Sequence, residues 1–266
     1  MPMLNLSYKE YRILDKEEIA PESFLFRLEG HLDFKPGQFI EAALDHFGTI
    51  TLAPCSHHKN IDFFELCIRA NGNRSAAISN LLVGDSLKIR GPYGNGWPID
   101  QIKNRELILV GGGMGMVPIR SLLHDLTIKR SKNKKIHLIA GAKTSHHFVF
   151  YDEIEKLQDL IDVEAYAERS DRHFFGKKGL ITEPIRTLEF NAKKALVFIC
   201  GPEIMYQYVI SELNKRGVLD DQIYVSMERR MECGIGVCQH CNCGKHLVCK
   251  DGPVFRWDHI QPELNK

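Results

Sequence analysis

The chain has 266 residues, of which 44% are hydrophobic and 26% charged, the balance of an ordinary folded soluble protein. Lys+Arg 35 against Asp+Glu 34 leaves a net charge of +1, so no global field favours nucleic acid or an anionic membrane. No apolar run approaches the roughly 20 residues that span a bilayer, and the opening MPMLNLSYKEYRIL lacks the basic-then-apolar order of a signal peptide.

Residues 1–100 read as short strands punctuated by turns. Phe24–Leu28 alternates, Gln38–Ala43 runs extended after the Pro36-Gly37 turn, and Ile61–Ala70 and Ser86–Arg90 are β-rich. One short helix fits at Ser75–Leu82. Strands at this spacing predict an antiparallel barrel or sandwich.

The pattern changes near Asn104. Glu106–Val110 is a buried apolar strand, then glycines, then a helix with Ile119, Leu122, Leu123 and Leu126 at i, i+3, i+4 and i+7. Strands at Ile136–Ala140, Val163–Ala167, Ala195–Cys200 and Gln222–Met227 alternate with helices carrying Ile154, Leu157, Leu160 and Ile161, and spanning Glu203–Lys215. That alternation predicts a doubly wound parallel sheet with helices on both faces over 101–227. The basic run Lys129–Lys135 falls between a helix and a strand and reads as a solvated loop. Residues 228–266 are too few for an apolar core of their own, so a bound metal is expected to order them.

The tail carries the sharpest motif. Cys233, Cys238, Cys241 and Cys249 have the spacing C-x4-C-x2-C-x7-C, that of a loop wrapping a [2Fe–2S] cluster. Gly234 and Gly236 allow the loop to curl so that amides point at the sulfurs. Cys238 and Cys241 also form the C-x2-C couple of a zinc knob, but the second couple such knobs use is missing. Five of the eight cysteines lie in this segment, which suggests metal chemistry in a reducing compartment, with the cytoplasm as the default.

A second motif is Gly111-Gly112-Gly113-Met-Gly115-Met-Val-Pro118, a glycine turn between a buried strand and a helix. A pyrophosphate can approach such a backbone and rest on the helix N-terminus. Pro118 replaces the last glycine of the G-x-G-x-x-G fingerprint and suits a helix's first turn. Cys200-Gly201-Pro202 repeats the strand–turn–helix logic, so both turns face one crevice if their strands are close. Taken alone, Cys200 is an ordinary buried thiol.

These motifs, with Gly91-Pro-Tyr93-Gly94, resemble the ferredoxin–NADP reductase superfamily over nearly the whole chain. The likeness is greatest to flavin and iron–sulfur electron-transfer subunits: the gamma subunit of sulfhydrogenases and the corresponding subunits of anaerobic sulfite reductases and heteromeric dihydroorotate dehydrogenases. The resemblance implies a flavin-binding barrel, an NAD(P)-binding domain and a C-terminal [2Fe–2S] lobe. It implies FAD, or FMN, on Ala53-Pro54-Cys55-Ser56, where the family's Arg-x-Tyr/Phe-Ser has lost its arginine and aromatic but kept Ser56 for the flavin N5 edge. Gly72-Asn73-Arg74-Ser75 matches the second flavin motif, with Arg69 or Arg74 supplying the missing charge. A plain helix cap reads the same residues without a ligand. Gly91, Tyr93 and Gly94 would border the flavin, and the nicotinamide would arrive from Gly113–Pro118 and Cys200–Pro202. Tyr93 and Trp97 serve equally well as interdomain packing.

The implied function is an NAD(P)H-dependent oxidoreductase subunit, with Ser56 and Cys200 nearest the chemistry. It exchanges electrons with a catalytic subunit of a redox complex or a ferredoxin-like carrier. Two rivals stand beside it: a self-contained NAD(P)H:acceptor reductase, and a nucleotide-binding module with a zinc knob and no flavin. Gly141-Ala-Lys143 offers no acidic group and Glu168–Arg172 offers both signs, so the sequence selects neither NADH nor NADPH. Adjacent histidines at 57/58 and 146/147 on extended segments would point to opposite faces and not share a metal.

Overall fold

A computed structural model describes residues 7–128 and 135–264. The expectation for Lys129–Lys135 therefore falls, but for Lys135, outside the described residues. The N-terminal half folds as β1 (Lys9–Ala20), β2 (Ser23–Glu29), β3 (Phe39–Leu44), β4 (Gly48–Leu52), β5 (Phe63–Arg69), helix α1 (Asn73–Ser79) and β6 (Ser86–Tyr93). The strands form one antiparallel sheet ordered β4-β3-β6-β1-β2-β5. A bridge from Pro54 to Leu66 joins its two ends, so the sheet closes as a barrel. Register shifts in β1 at Ile13/Asp15 and Glu18/Ala20 bend the strand so that it pairs with both β6 and β2. Phe26, Leu28, Ile40, Phe64, Leu66, Ile68 and Leu87 fill the interior.

The second half contains β7 (Glu106–Gly112), α2 (Met116–Ile128), β8 (Ile136–Thr144), α3 (Tyr151–Leu157), β9 (Asp162–Arg169), β10 (Lys177–Lys178) and α4 (Glu183–Thr187). β11 (Ala195–Cys200), α5 (Glu203–Lys215) and β12 (Ile223–Ser226) follow. The sheet order is β10-β9-β8-β7-β11-β12, all parallel. α5 buries Tyr206, Val209, Ile210 and Leu213, the i, i+3, i+4, i+7 face its sequence offers.

The tail corrects one expectation. After the short hairpin β13 (Asn242–Cys243) and β14 (His246–Leu247) and helix α6 (Val248–Asp251), strand β15 (Val254–Arg256) adds antiparallel to β12 as a seventh strand. Helix α7 (Trp257–Leu264) then covers it. Val248, Phe255, Trp257 and Ile260 share one apolar cluster with Val197, Ile199 and Val225 of the parallel sheet. The tail thus borrows the core it is too short to build, and apolar burial orders it as well as any metal.

Trp97 joins the halves: it stacks on Phe198 with ring centroids 4.9 Å apart, and its indole N–H donates to the Pro118 carbonyl at 3.3 Å. Of its two readings, the structure takes interdomain packing.

Candidate functional site: a cavity shared by three segments

β7 and β11 are neighbours, with Cys200 paired to Gly111. Their C-terminal turns therefore meet, and closely: a Cβ on Gly115 would lie 2.1 Å from the Cys200 carbonyl oxygen. One on Gly112 would strike the Met205 sulfur at 2.5 Å. Gly113 has φ +55 with open space on its side-chain side, leaving its backbone free for a ligand's approach. Gly201 (φ +154) and Pro202 begin the turn into α5.

Beside these turns lies a cavity of about 280 Å³. Gln38, Phe39, Thr51, Leu52, Ala53 and Cys67 form its barrel wall, and Met114, Val117, Pro118 and Cys200 its nucleotide-side wall. Glu228, Arg229, Met231 and Pro253 of the tail complete it. Burial, then the nearby Glu228 carboxylate, raises the Cys200 thiol well above its ordinary range, so it stays protonated. Glu228 is exposed as a residue, yet the protein around it raises its carboxyl by desolvation.

A second cavity of about 670 Å³ adjoins the first along Thr51 and Leu52. Arg69, Gly72, Arg74, Ser75 and Arg230 line it. The Arg69 Nε is buried without a hydrogen-bond partner, which marks a place for an acceptor. Glu232 alone pairs with two of the three guanidinium groups, Arg74 at 3.6 Å and Arg230 at 2.8 Å. The net positive lining fits a phosphate-bearing ligand, and Arg230, from the tail, escaped sequence reasoning. The Arg229-Arg230 pair beside the cysteine motif was the available signal.

The 53–56 motif divides. Ala53 lines the first cavity, whereas Pro54, Cys55 and Ser56 are buried behind it. The Ser56 hydroxyl accepts from the Glu65 amide at 3.1 Å. The Cys55 thiol, pushed up to about 12 by burial, donates to the Glu65 carbonyl at 3.4 Å. Cys67, one strand away, reaches the cavity instead. Of the 91–94 turn, Tyr93 packs on Phe39 with centroids 5.8 Å apart. Gly94 lies against Pro253, where a Cβ would come within 2.5 Å of the proline Cδ. Gly91, Tyr93 and Gly94 thus support the wall from behind.

Behind that wall, Arg120 of α2 crosses between the halves. It binds Glu65 at 2.8 Å, Glu153 at 2.7 Å and the Cys55 carbonyl at 3.0 Å. Burial alone would raise the Glu65 carboxyl, but Arg120 and Arg27 together hold it below the usual range.

The four motif cysteines form two pairs. The Cys238 amide donates to the Cys233 sulfur at 3.4 Å, and the Cys249 amide to the Cys241 sulfur at 3.4 Å. Amides of Gly236 and Val237 add bonds of 3.1 Å to Cys249 and 3.3 Å to Cys233. Gly234 (φ +66) and Gly236 (φ +81) take the left-handed backbone that this curl requires. A single zinc at about 2.3 Å from four sulfurs would hold them all about 3.8 Å apart. Among the described residues, the one trio of ligand atoms all within 4.8 Å lies elsewhere. Paired sulfurs with amide donors fit a two-iron cluster. Cys243 faces away, accepting from Arg229 at 3.7 Å.

His146 pairs with Asp171 at 3.3 Å and His147 with the Thr144 hydroxyl at 2.6 Å, so these neighbours share no ligand. His57 and His58 depart from expectation: both turn to Asp125.

A barrel, a doubly wound domain and a cysteine lobe meeting at one cavity define a flavin- and pyridine-nucleotide-dependent electron-transfer protein with an iron–sulfur appendage. Residues 10–97 match the oxidoreductase FAD-binding domain, 109–210 the oxidoreductase NAD-binding domain and 228–261 the iron-sulfur cluster binding domain of dihydroorotate dehydrogenase B. Sulfhydrogenase 2 subunit gamma of Pyrococcus furiosus is 38% identical over 95% of this chain and 97% of its own. A probable dihydroorotate dehydrogenase B electron transfer subunit of Thermococcus kodakarensis is 34% identical over 94% and 98%. The chain belongs to this family of iron–sulfur flavoprotein electron-transfer subunits. Its fold is also that of a chain in the NADH-dependent reduced ferredoxin-NADP oxidoreductase, with a TM-score of 0.76 at 24% identity over 99% of this chain and 94% of that one.

Proposed function

We propose that this chain carries electrons between NAD(P)H and a catalytic partner subunit of the hydrogenase, sulfur or sulfite reductase type, in the cytoplasm. The observation that carries this reading is the single cavity walled by the barrel, the glycine turns and the tail just before Cys233. FAD supplies the exchange between hydride and single-electron chemistry, and a [2Fe–2S] cluster supplies one-electron exchange.

The chain's residues divide that work. Arg69, Arg74 and Arg230, with Gly72 and Ser75, hold the flavin phosphates, and Thr51 and Ala53 flank the ring. Ser56 and Cys55 fix the wall by tying it to Glu65, with Ser56 acting on the flavin through that strand. Gly113, Gly115 and Pro118 admit the nucleotide with Gly201 and Pro202, and the protonated Cys200 packs beside the nicotinamide. Cys233, Cys238, Cys241 and Cys249 hold the iron. The segments 1–100, 101–227 and 228–266 serve as flavin, nucleotide and cluster domains. The relatives at 38% and 34% identity are named as subunits, which favours a docked partner over a self-contained reductase.

Cys238→Ser tests the route. NAD(P)H-dependent dye reduction should persist, while reduction of the copurifying partner falls to background. Partner reduction at the wild-type rate would remove the cysteine lobe from the path.

A further inference from the structure

His57 and His58 follow a bend at Ser56 and enter a turn in which the Asn60 amide donates to the His57 carbonyl at 3.1 Å. The strand alternation that would separate consecutive side chains is therefore broken here. His57 Nε2 lies 3.0 Å from Asp125 Oδ1, and His58 Nδ1 lies 3.3 Å from Asp125 Oδ2. Their ring centroids are 5.3 Å apart. Among the described residues, this is the one set of three His, Cys, Asp or Glu side chains with ligand atoms all within 4.8 Å of one another.

The His57–Asp125 contact is a hydrogen bond as it stands, and the spacings also fit a coordination shell. Two ligand atoms about 2.0–2.1 Å from one zinc, at the tetrahedral angle, lie about 3.3 Å apart. The Asp125 side chain is only 7% exposed, and among the described residues no lysine or arginine pairs with it. Arg120, five residues earlier on α2, is committed to Glu65 and Glu153. A buried carboxylate set between two imidazoles offers oxygen and nitrogen donors that one dication can bind in common. The imidazoles are 24% and 19% exposed, which leaves a path for the ion and for water as a fourth ligand.

We propose that His57, His58 and Asp125 form a divalent transition-metal site of the zinc class that clamps the barrel to the nucleotide-binding domain. Two imidazoles and a carboxylate suit zinc, while the thiolates of the tail select iron–sulfur chemistry. The site is independent of the flavin and cluster assignments, because it shares no residue with them.

The test uses the full-length holoprotein, freed anaerobically of loosely held metal by a chelator and titrated with Zn²⁺ in a calorimeter. One equivalent should bind, and the thermal midpoint should rise with zinc concentration. Zinc-edge X-ray absorption should give nitrogen and oxygen ligands at about 2.0–2.1 Å, with no sulfur at about 2.3 Å. His57→Gln/His58→Gln should weaken binding at least about 100-fold, since even partners beyond the ligands cost 10–100-fold, and should leave iron content unchanged. Absence of a zinc-dependent heat, zinc found only among sulfurs, or equal binding by the double variant overturns the proposal. Should that variant fail to fold, the zinc-edge spectrum of the wild type still decides between nitrogen–oxygen and sulfur ligation.

Discussion

Two seams hold this molecule together, and they are built from different materials. Between the barrel and the nucleotide-binding domain, the Trp97–Phe198 stack is accompanied by a buried ionic contact: Arg120 joins Glu65 to Glu153, and Asp125 faces two histidines. Between the barrel and the cysteine lobe, backbone contacts stand beside the Arg74–Glu232 pair and an Arg90 bond to the Cys233 carbonyl. Asn95 donates its amide to the Gly252 carbonyl at 2.8 Å and its side chain to the Val254 carbonyl at 2.8 Å. Gly94 and Gly234 press against Pro253 and Glu41 with no room for a Cβ. The first seam depends on charge balance and so responds to pH. The second depends also on the close approach of Gly94 and Gly234 and responds to volume. One cavity needs both, since its walls come from either side of each seam.

Breaking the ionic seam should cost most. Arg120→Met leaves buried Glu65 to the half-exposed Arg27, and chemical denaturation should register a loss of about 3 kcal/mol. Gly94→Ala, which meets Pro253 and starts from φ +82, should cost about 1–3 kcal/mol by overpacking and should lower iron retention without changing nucleotide binding. If the seams are independent, the double variant should lose the sum of the two to within about 0.5 kcal/mol. Strong non-additivity would merge them into one unit.

The pH response separates them further. The Glu65 carboxyl is held below its ordinary value of about 4.3. Its contribution is therefore complete above that value and is lost as pH falls through the lower, folded value. Denaturation midpoints measured between pH 7 and pH 3 should show this loss in the wild type. In Arg120→Met only Arg27 still opposes the desolvation of Glu65, so its carboxyl is held down less, and the deficit against wild type should shrink as the solution is acidified. Gly94→Ala should show a deficit independent of pH. The smallest effect concerns the second cavity, where Arg69→Ala should weaken flavin binding about 10-fold, the worth of one charged hydrogen bond, as read by flavin fluorescence on dilution.

Most of the architecture was legible because its signals are local. The helix Glu203–Lys215 and the strand Ala195–Cys200 have the expected bounds, since periodicity and turn residues mark both ends. β1 escaped notice because it is long, charged and bulged, with only Ile13 and Ala20 buried. β15 was hidden because it is short and pairs with a strand about thirty residues earlier. Among candidate site residues, the cysteines and glycine turns were legible from spacing and context. The flavin edge was not, because which face of 53–56 meets the cavity depends on how β5 closes the barrel. Thus Cys67 and not Cys55 reaches it. Arg230 and the His57–His58–Asp125 cluster arise from contacts distant in sequence, or from a turn where alternation fails.

The most direct measurement of the central claim is the cofactor content of the anaerobically purified full-length chain, by flavin absorbance and by iron and labile-sulfide analysis. One flavin with about two irons and two sulfides per chain is the expected result. A chain that after reconstitution retains neither iron nor sulfide in its cysteine lobe, or that binds no flavin, would contradict it.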